Sequence, residues 1–205
     1  ERVFAMGEEG GASVMVSEGA FKDPKPEAIF GVHVVPGVPG KIDTRPGPAM
    51  AGSDKIMLSL KGRQTHGAQP WNGIDVVNLA ASIVTSLNEI AARQIDITAN
   101  PTVITIGSLQ AGNRDNIIPE TAEMLGTLRT YTPERRADVI ARMTRTVNDL
   151  ADSYGATAEL KWGHANPALI NNPALTRAML PALEAAAGPG NVDAETKLQT
   201  ASEDF

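Results

Sequence analysis

The alternation of strand and helix patterns between residues 51 and 162 constrains the fold more than any other feature of the sequence. Four segments have the short apolar pattern of strands, and two longer ones repeat apolar residues at helical spacing. In chain order these segments are residues 55–61, 74–93, 102–109, 122–130, 133–151 and 157–162. The order β-α-β-β-α-β is typical of the ferredoxin-like sandwich, in which two helices cover one face of a four-stranded sheet and leave the other open.

The segments on either side of this unit read as parts of another α/β domain. Residues 36–48 are rich in proline and glycine around a short strand pattern at residues 41–44, which places a boundary near residues 49–52. After Gly163 there is one clear helix pattern, at residues 174–187, and no complete domain. We therefore expect residues 51–162 to be an insertion between residues 1–50 and 163–205, and we expect the chain to be part of a longer protein.

Two adjacent carboxylates, Glu8 and Glu9, follow a short apolar strand pattern at residues 3–6 and precede a glycine pair and a helix pattern at residues 12–19. A loop at the carboxyl end of a strand is where α/β sheets bind ligands. One carboxylate of the pair could bind a metal ion, and the other could act as general base. The simpler alternative, two solvated residues favoured by the helix dipole, is preferred on these residues alone.

His33 interrupts a nearly continuous apolar run at residues 28–35, which predicts a strand buried on both faces. A lone histidine in such a strand is more often a hydrogen-bonded core residue than a ligand. However, one β-α-β crossover would bring this strand close to the first strand and its Glu8-Glu9 pair.

Composition excludes several classes of function. The 205 residues contain no cysteine, so the chain has no disulfide, and any metal ligands must be Asp, Glu or His. The net charge of −6 and the lack of a Lys/Arg cluster argue against a nucleic-acid partner. The sequence has neither a membrane-spanning apolar stretch nor a signal-peptide pattern at its start, so we expect a cytoplasmic protein with no membrane partner.

Six short strings stand in one order along almost the whole chain. They are Glu8-Glu9-Gly10, Gly31-Val32-His33, Thr65-His66-Gly67-Ala68, Asn116-Ile117-Ile118-Pro119, Gly126-Thr127-Leu128-Arg129-Thr130 and Ser202-Glu203-Asp204-Phe205. With these strings the chain resembles the metal-dependent aminoacylase and carboxypeptidase family. Its amidohydrolase branch, which includes hippurate hydrolases, auxin-conjugate hydrolases and N-acyl-amino-acid deacylases, is the most similar.

The resemblance implies a zinc-peptidase-like catalytic α/β domain carrying the ferredoxin-like unit as a lid and dimerisation domain. It implies hydrolysis of the amide bond of an N-acyl amino acid or small peptide, with two divalent metal ions, zinc or manganese, at a complete site. Glu8 matches the general base, and Glu9 and His33 match metal ligands. This division suits the chemistry, because a carboxylate held beside a metal-bound water can accept its proton.

Three lid residues also match functional positions of the family. His66 matches the histidine that reaches the partner's active site in a homodimer and stabilises the oxyanion. Asn116 and Arg129 match substrate-binding residues, and the planar fork of Arg129 suits a carboxylate. Without the resemblance, simpler interpretations are favoured: an exposed turn histidine, a turn-capping asparagine and a surface ion pair.

The chain also departs from the family pattern. Relatives carry a His-x-Cys-Gly-His-like metal segment upstream and a further metal-binding histidine downstream, and His164 matches neither position. Two ligands alone hold a dimetal centre poorly. The alternative is therefore a non-catalytic dimerisation or small-molecule-binding module, and the presence or absence of those segments in the parent reading frame separates the two.

Overall fold

The computed structural model describes residues 11–203, apart from the side chain of His164. The strands in this range are β1 (Ile42–Asp43), β2 (Gly47–Met50), β3 (Gly52–Lys61), β4 (Thr65–His66), β5 (Val103–Ala111), β6 (Ile117–Ile118), β7 (Thr121–Thr130), β8 (Thr157–Asn166), β9 (Leu169–Asn171) and β10 (Val192–Asp193). The α-helices are α1 (Gly11–Ser17), α2 (Val76–Arg93), α3 (Pro133–Tyr154) and α4 (Pro173–Ala187), and a short 3-10 helix spans Pro70–Asn72. The chain divides into two compact units, of which one is Ser53–Ala165 and the other contains residues 11–52 and 166–203.

The first unit is built on a four-stranded sheet with the strand order β5-β7-β3-β8. Strands β5 and β7 are antiparallel, with Val103 opposite Arg129, and the register shifts between Ile106 and Ser108. Helices α2 and α3 contact each other, and both contact β7. The predicted ferredoxin-like arrangement of two helices on one sheet face is therefore confirmed.

The core of this unit lies between the sheet and its two helices. Alternate residues of β3 point into it, because successive side chains of a strand face opposite sides. Each helix contributes one apolar stripe at helical spacing. The buried core side chains include Ile56, Leu58, Leu60, Leu79, Ile83, Leu87, Ile90, Met124, Leu128, Val139, Met143 and Val147.

Side-chain caps determine where the two helices begin. The Asp75 carboxylate accepts hydrogen bonds from the backbone N–H groups of Val77 and Asn78, at 2.9 and 3.0 Å. Thr132, the predicted N-cap of α3, accepts from the Arg135 N–H at 3.2 Å. Helix α3 is followed by Gly155, which caps it in the left-handed conformation that favours glycine at this position.

The second unit contains two small sheets and two helices within the described range. Strand β1 is parallel to β10, and β2 is antiparallel to β9. Helix α4 begins after Asn172, whose side chain accepts from the N–H groups of Ala174 and Leu175. The predicted helices at residues 12–19 and 174–187 and the short strand at 41–44 correspond to α1, α4 and β1.

The buried strand predicted at residues 28–35 is wrong. This segment forms no strand, and its side chains are exposed, with Val32 at 93% and Val34 at 89%. An apolar run becomes a buried strand only where other strands pair with it and helices cover it, and within residues 11–203 no strand pairs with this run. The strand predicted at residues 3–6 lies outside the described residues. No helix among residues 11–203 is both long and apolar enough to cross a bilayer.

Candidate functional site

His66 and Asn116 lie side by side at one end of the ferredoxin-like unit. The short strands β4 and β6 are antiparallel, with His66 opposite Ile117 and Thr65 opposite Ile118. Just beyond this pairing, the Gly67 N–H donates to the backbone carbonyl of Asn116 at 2.8 Å. Two of the residues singled out from the sequence are therefore brought together, although they are far apart in the chain.

The loop after His66 is held by its own hydrogen bonds. The Gln69 N–H donates to the His66 carbonyl at 2.8 Å, and the Thr65 hydroxyl donates to the Gln69 carbonyl at 3.1 Å. Gly67 allows the close approach to Asn116, because a Cβ at this position would lie 3.2 Å from the Asn116 backbone. The loop thus presents a largely exposed imidazole from a fixed backbone.

The His66 ring itself has one hydrogen bond within the described residues. The backbone N–H of Ala68 donates to Nδ1 of His66 at 3.1 Å. The histidine is thereby oriented by a neighbouring amide of its own loop.

Arg129 lies on the open sheet face, on the side of β7 that carries Leu125 and Thr127. Its Nη1 is buried and makes no hydrogen bond with any described residue. A buried guanidinium nitrogen without a partner is costly unless a ligand or water satisfies it. The surface ion pair that the sequence alone favoured for Arg129 is not formed with any residue between 11 and 203.

A groove lies on the sheet near Leu125 and Thr127 of β7. Its volume is about 410 Å³, and it is lined by residues of β3, β5 and β7 that include Lys55, Ser108 and Thr127. Among the lining residues, β5 and β7 approach so closely that a Cβ at Gly126 would lie 2.3 Å from the Thr105 carbonyl oxygen. Glycine in the string from Gly126 to Thr130 is therefore required by the packing of the two strands.

His66, Asn116 and Arg129 form two groups near opposite ends of β7. The Gly62 N–H donates to the Glu120 carbonyl, which places the His66 loop beside the start of β7 at Thr121. Arg129 is eight residues further along the strand. At the usual rise of a strand this separates Arg129 from the start of β7 by about 27 Å.

In the second unit, the predicted metal ligand His33 contacts Glu203. The contact joins His33 Nδ1 to Glu203 Oε2. No role was predicted for Glu203, although it belongs to the last of the six strings. Sequence could have indicated it only by its carboxylate, because nothing in the spacing links two residues that are 170 positions apart.

An imidazole nitrogen and a carboxylate oxygen are donors that zinc and manganese accept, so His33 and Glu203 fit the implied metal in chemical type. Among the described residues no group of three or more His, Cys, Asp or Glu side chains is placed to hold a metal ion. The proposed base Glu8 and ligand Glu9 lie outside the described residues, as does the side chain of His164.

Comparison with known proteins gives consistent matches. Residues 49–155 match the M20 peptidase dimerisation domain. The N-acetylcysteine deacetylase of Bacillus subtilis is 37% identical over 179 residues, which are 87% of this chain and 46% of that protein. Thermostable carboxypeptidase 2 of Saccharolobus solfataricus is 36% identical over 82% of this chain and 42% of its own length.

Solved structures are also similar over nearly the whole chain. The Bacillus subtilis YXEP protein, described as a dinuclear metal binding peptidase of the M20 family, has a TM-score of 0.74 and 32% identity. The match covers 98% of this chain and 49% of that one. The chain spans about half the length of the curated relatives it matches.

Proposed function

Since the chain belongs to the M20 peptidase family, whose dimerisation domain residues 49–155 match, we propose that it is part of a metal-dependent amidohydrolase. The substrate is an N-acyl amino acid or a small peptide, and the bond cleaved is its amide. The deacetylase and carboxypeptidase relatives, both more than 35% identical to this chain, support this class of substrate. The observation that carries the proposal is the position of His66 next to Asn116 on a matched dimerisation domain, where β4 pairs with β6 and the Gly67 N–H donates to the Asn116 carbonyl.

Under this proposal Glu9 and His33 hold metal, and Glu8 takes a proton from the attacking water. When bound, two divalent ions, zinc or manganese, lower the pKa of that water. Arg129 binds the substrate carboxylate with its planar fork, which the unpartnered Nη1 supports. His66 donates to the carbonyl oxygen as negative charge develops on it, and Asn116 hydrogen bonds the substrate beside it.

The separation within the lid determines how these residues are shared. At the usual strand rise, Arg129 lies about 27 Å from the start of β7, and the His66 loop and Asn116 lie beside that end of the strand. One small substrate is far too short to contact both ends of the same lid. We therefore propose a homodimer in which each site takes Arg129 from one protomer and His66 with Asn116 from the other.

The experiment measures turnover of a panel of N-acyl amino acids by the complete protein containing this chain, loaded with zinc or manganese. His66→Ala and Arg129→Ala proteins are then mixed under conditions of demonstrated subunit exchange. Each heterodimer has one site with both defects and one intact site, so an equal mixture should recover about one quarter of the wild-type rate.

The matched control mixes His66→Ala with Asn116→Ala. Both residues come from the same protomer under this proposal, so each heterodimer site lacks one of them and no rescue is expected. Rescue of this control, or none in the first mixture, would contradict the shared site. Absence of turnover on the whole panel with metal bound would instead favour the non-catalytic module. A cytoplasmic location stays a prediction.

A further inference from the structure

We propose that the loop after His66 selects the neutral tautomer of this histidine that carries its proton on Nε2. The inference rests on the proposed function, which needs a hydrogen-bond donor at this position. It adds a positioning group, the backbone N–H of Ala68, to the side chains already named.

The argument begins with the two ring nitrogens. In a neutral imidazole one nitrogen is a donor and the other is an acceptor. The Ala68 N–H donates to Nδ1 of His66 at 3.1 Å, so Nδ1 must be the acceptor. If Nδ1 carried the proton, its N–H would point at the Ala68 N–H, and two donors would face each other without an acceptor. The proton of the neutral ring is therefore held on Nε2.

The direction of the Ala68 amide is fixed by the residues around it. Gly67 is tied to the Asn116 carbonyl, and Gln69 is tied to the His66 carbonyl, both at 2.8 Å. The hydroxyl of Thr65 closes the loop through the Gln69 carbonyl at 3.1 Å. The peptide on each side of Ala68 is thus restrained, and its N–H has little freedom to turn away from the ring.

The consequence is a donor prepared before substrate arrives. Within residues 11–203 no hydrogen bond to Nε2 of His66 is formed, and the residue is exposed. A neutral Nε2–H can donate to the oxygen of an amide carbonyl as it becomes an oxyanion, without first losing or gaining a proton. The opposite tautomer would present a lone pair to that oxygen and would repel it.

The test is ¹⁵N NMR of the histidine rings in the complete protein without metal, at a pH where the rings are neutral. Comparison with the spectrum of the His66→Gln protein assigns the His66 signals by difference. We expect an Nδ1 shift typical of an acceptor and an Nε2 shift typical of a protonated nitrogen. An Nδ1 that carries the proton, or shifts averaged as in free histidine, would overturn the inference.

Two variants connect the tautomer to the amide. Ala68→Pro removes the backbone N–H. Ala68→Ser keeps the backbone N–H and changes only a side chain that is exposed. The proline variant should shift the tautomer ratio towards that of free histidine and lower kcat by about two- to tenfold, the range for one hydrogen bond. The serine variant should match wild type in both measurements. Equal behaviour of the two variants would also overturn the inference.

The wild-type spectrum keeps the proposal testable if the proline variant does not fold. Failure of the proposed function is distinguishable from failure of this inference. A protein with the Nε2–H tautomer and no hydrolase activity would refute the former alone, and an active enzyme with averaged ring shifts would refute the latter alone.

Discussion

A carboxylate can act as general base only while its own oxygens remain free to accept a proton, and this distinguishes Glu8 from Glu9. Glu8→Gln keeps the shape of the side chain and removes the acceptor. We expect kcat of the complete protein to fall by roughly 10²–10⁴ with metal content unchanged, the range for general acid-base catalysis. Glu9→Gln should instead lower metal occupancy, measured by atomic emission after dialysis. Equal metal loss in the two variants would show that the roles are assigned wrongly.

Single residues of the candidate site were accessible from sequence to different degrees. His66, Asn116 and Arg129 could be named because each stands in a short string typical of the family. Neither the Ala68 amide nor the contact of Glu203 with His33 could be named in this way. A backbone donor has no residue type that marks it, and a contact between distant positions depends on the path of the whole chain.

At the scale of the secondary-structure elements, an ion pair between a buried carboxylate and a half-exposed guanidinium joins the start of β3 to α3. Asp54 is 1% exposed, and the guanidinium of Arg136 donates to both of its oxygens, with Nη2 2.6 Å from Oδ1. The hydrogen bond to Asp54 raises the pKa of Arg136, so the guanidinium remains charged at any pH that the fold tolerates. The pair thus anchors the helix to the sheet beside the apolar core.

Removal of Arg136 should therefore destabilise the lid. Arg136→Ala leaves a buried carboxylate without its partner, and we expect a loss of about 1.5–3 kcal/mol in the free energy of unfolding. This is less than the full cost of breaking a wholly buried pair, because the Arg136 side chain is 42% exposed. Urea unfolding followed by circular dichroism measures it.

Arg142→Ala is the matched control, since this residue lies on the same helix and pairs with Asp138 at 2.9 Å on the surface. An exposed pair four residues apart contributes only about 0.3–0.5 kcal/mol. Similar losses in the two variants would mean that the Asp54 pair contributes no more than a surface ion pair.

Helices and strands were predicted well where the elements that pack against them are close in the sequence. Helices α2 and α3 and the four strands of the sheet lie in one continuous stretch, so that the residues that cover each apolar face are close in the chain. Residues 28–35 have an equally clear apolar run but no partner strand in the described range. The local periodicity of a sequence shows which face of a segment could be buried. Whether that face is buried depends on the strands and helices that pack against the segment.

At the scale of the whole molecule, the sheet of the lid ends in two edge strands, β5 and β8. The surface at the β5 edge is more apolar than the surface at the β8 edge. Three exposed apolar side chains lie there, Val103 and Leu109 of β5 and Val77 of the adjacent α2. An edge strand also presents unpaired N–H and C=O groups that a second strand can satisfy. We therefore propose that two copies of the chain associate through β5 and α2.

If the protomers associate in this way, charged substitutions on the β5 edge should separate them and should at the same time abolish the shared active site. The Val103→Lys/Leu109→Lys protein should sediment as a monomer, because lysines on an edge strand oppose strand pairing. Its metal content should match wild type, and its turnover should fall as far as that of His66→Ala, since no partner supplies His66 and Asn116. Ile97→Lys, which charges an exposed apolar residue outside β5 and α2, is the control and should remain dimeric and active. If the double variant stays dimeric, the interface must lie on another surface. A fully active monomer would show that each protomer completes its own site.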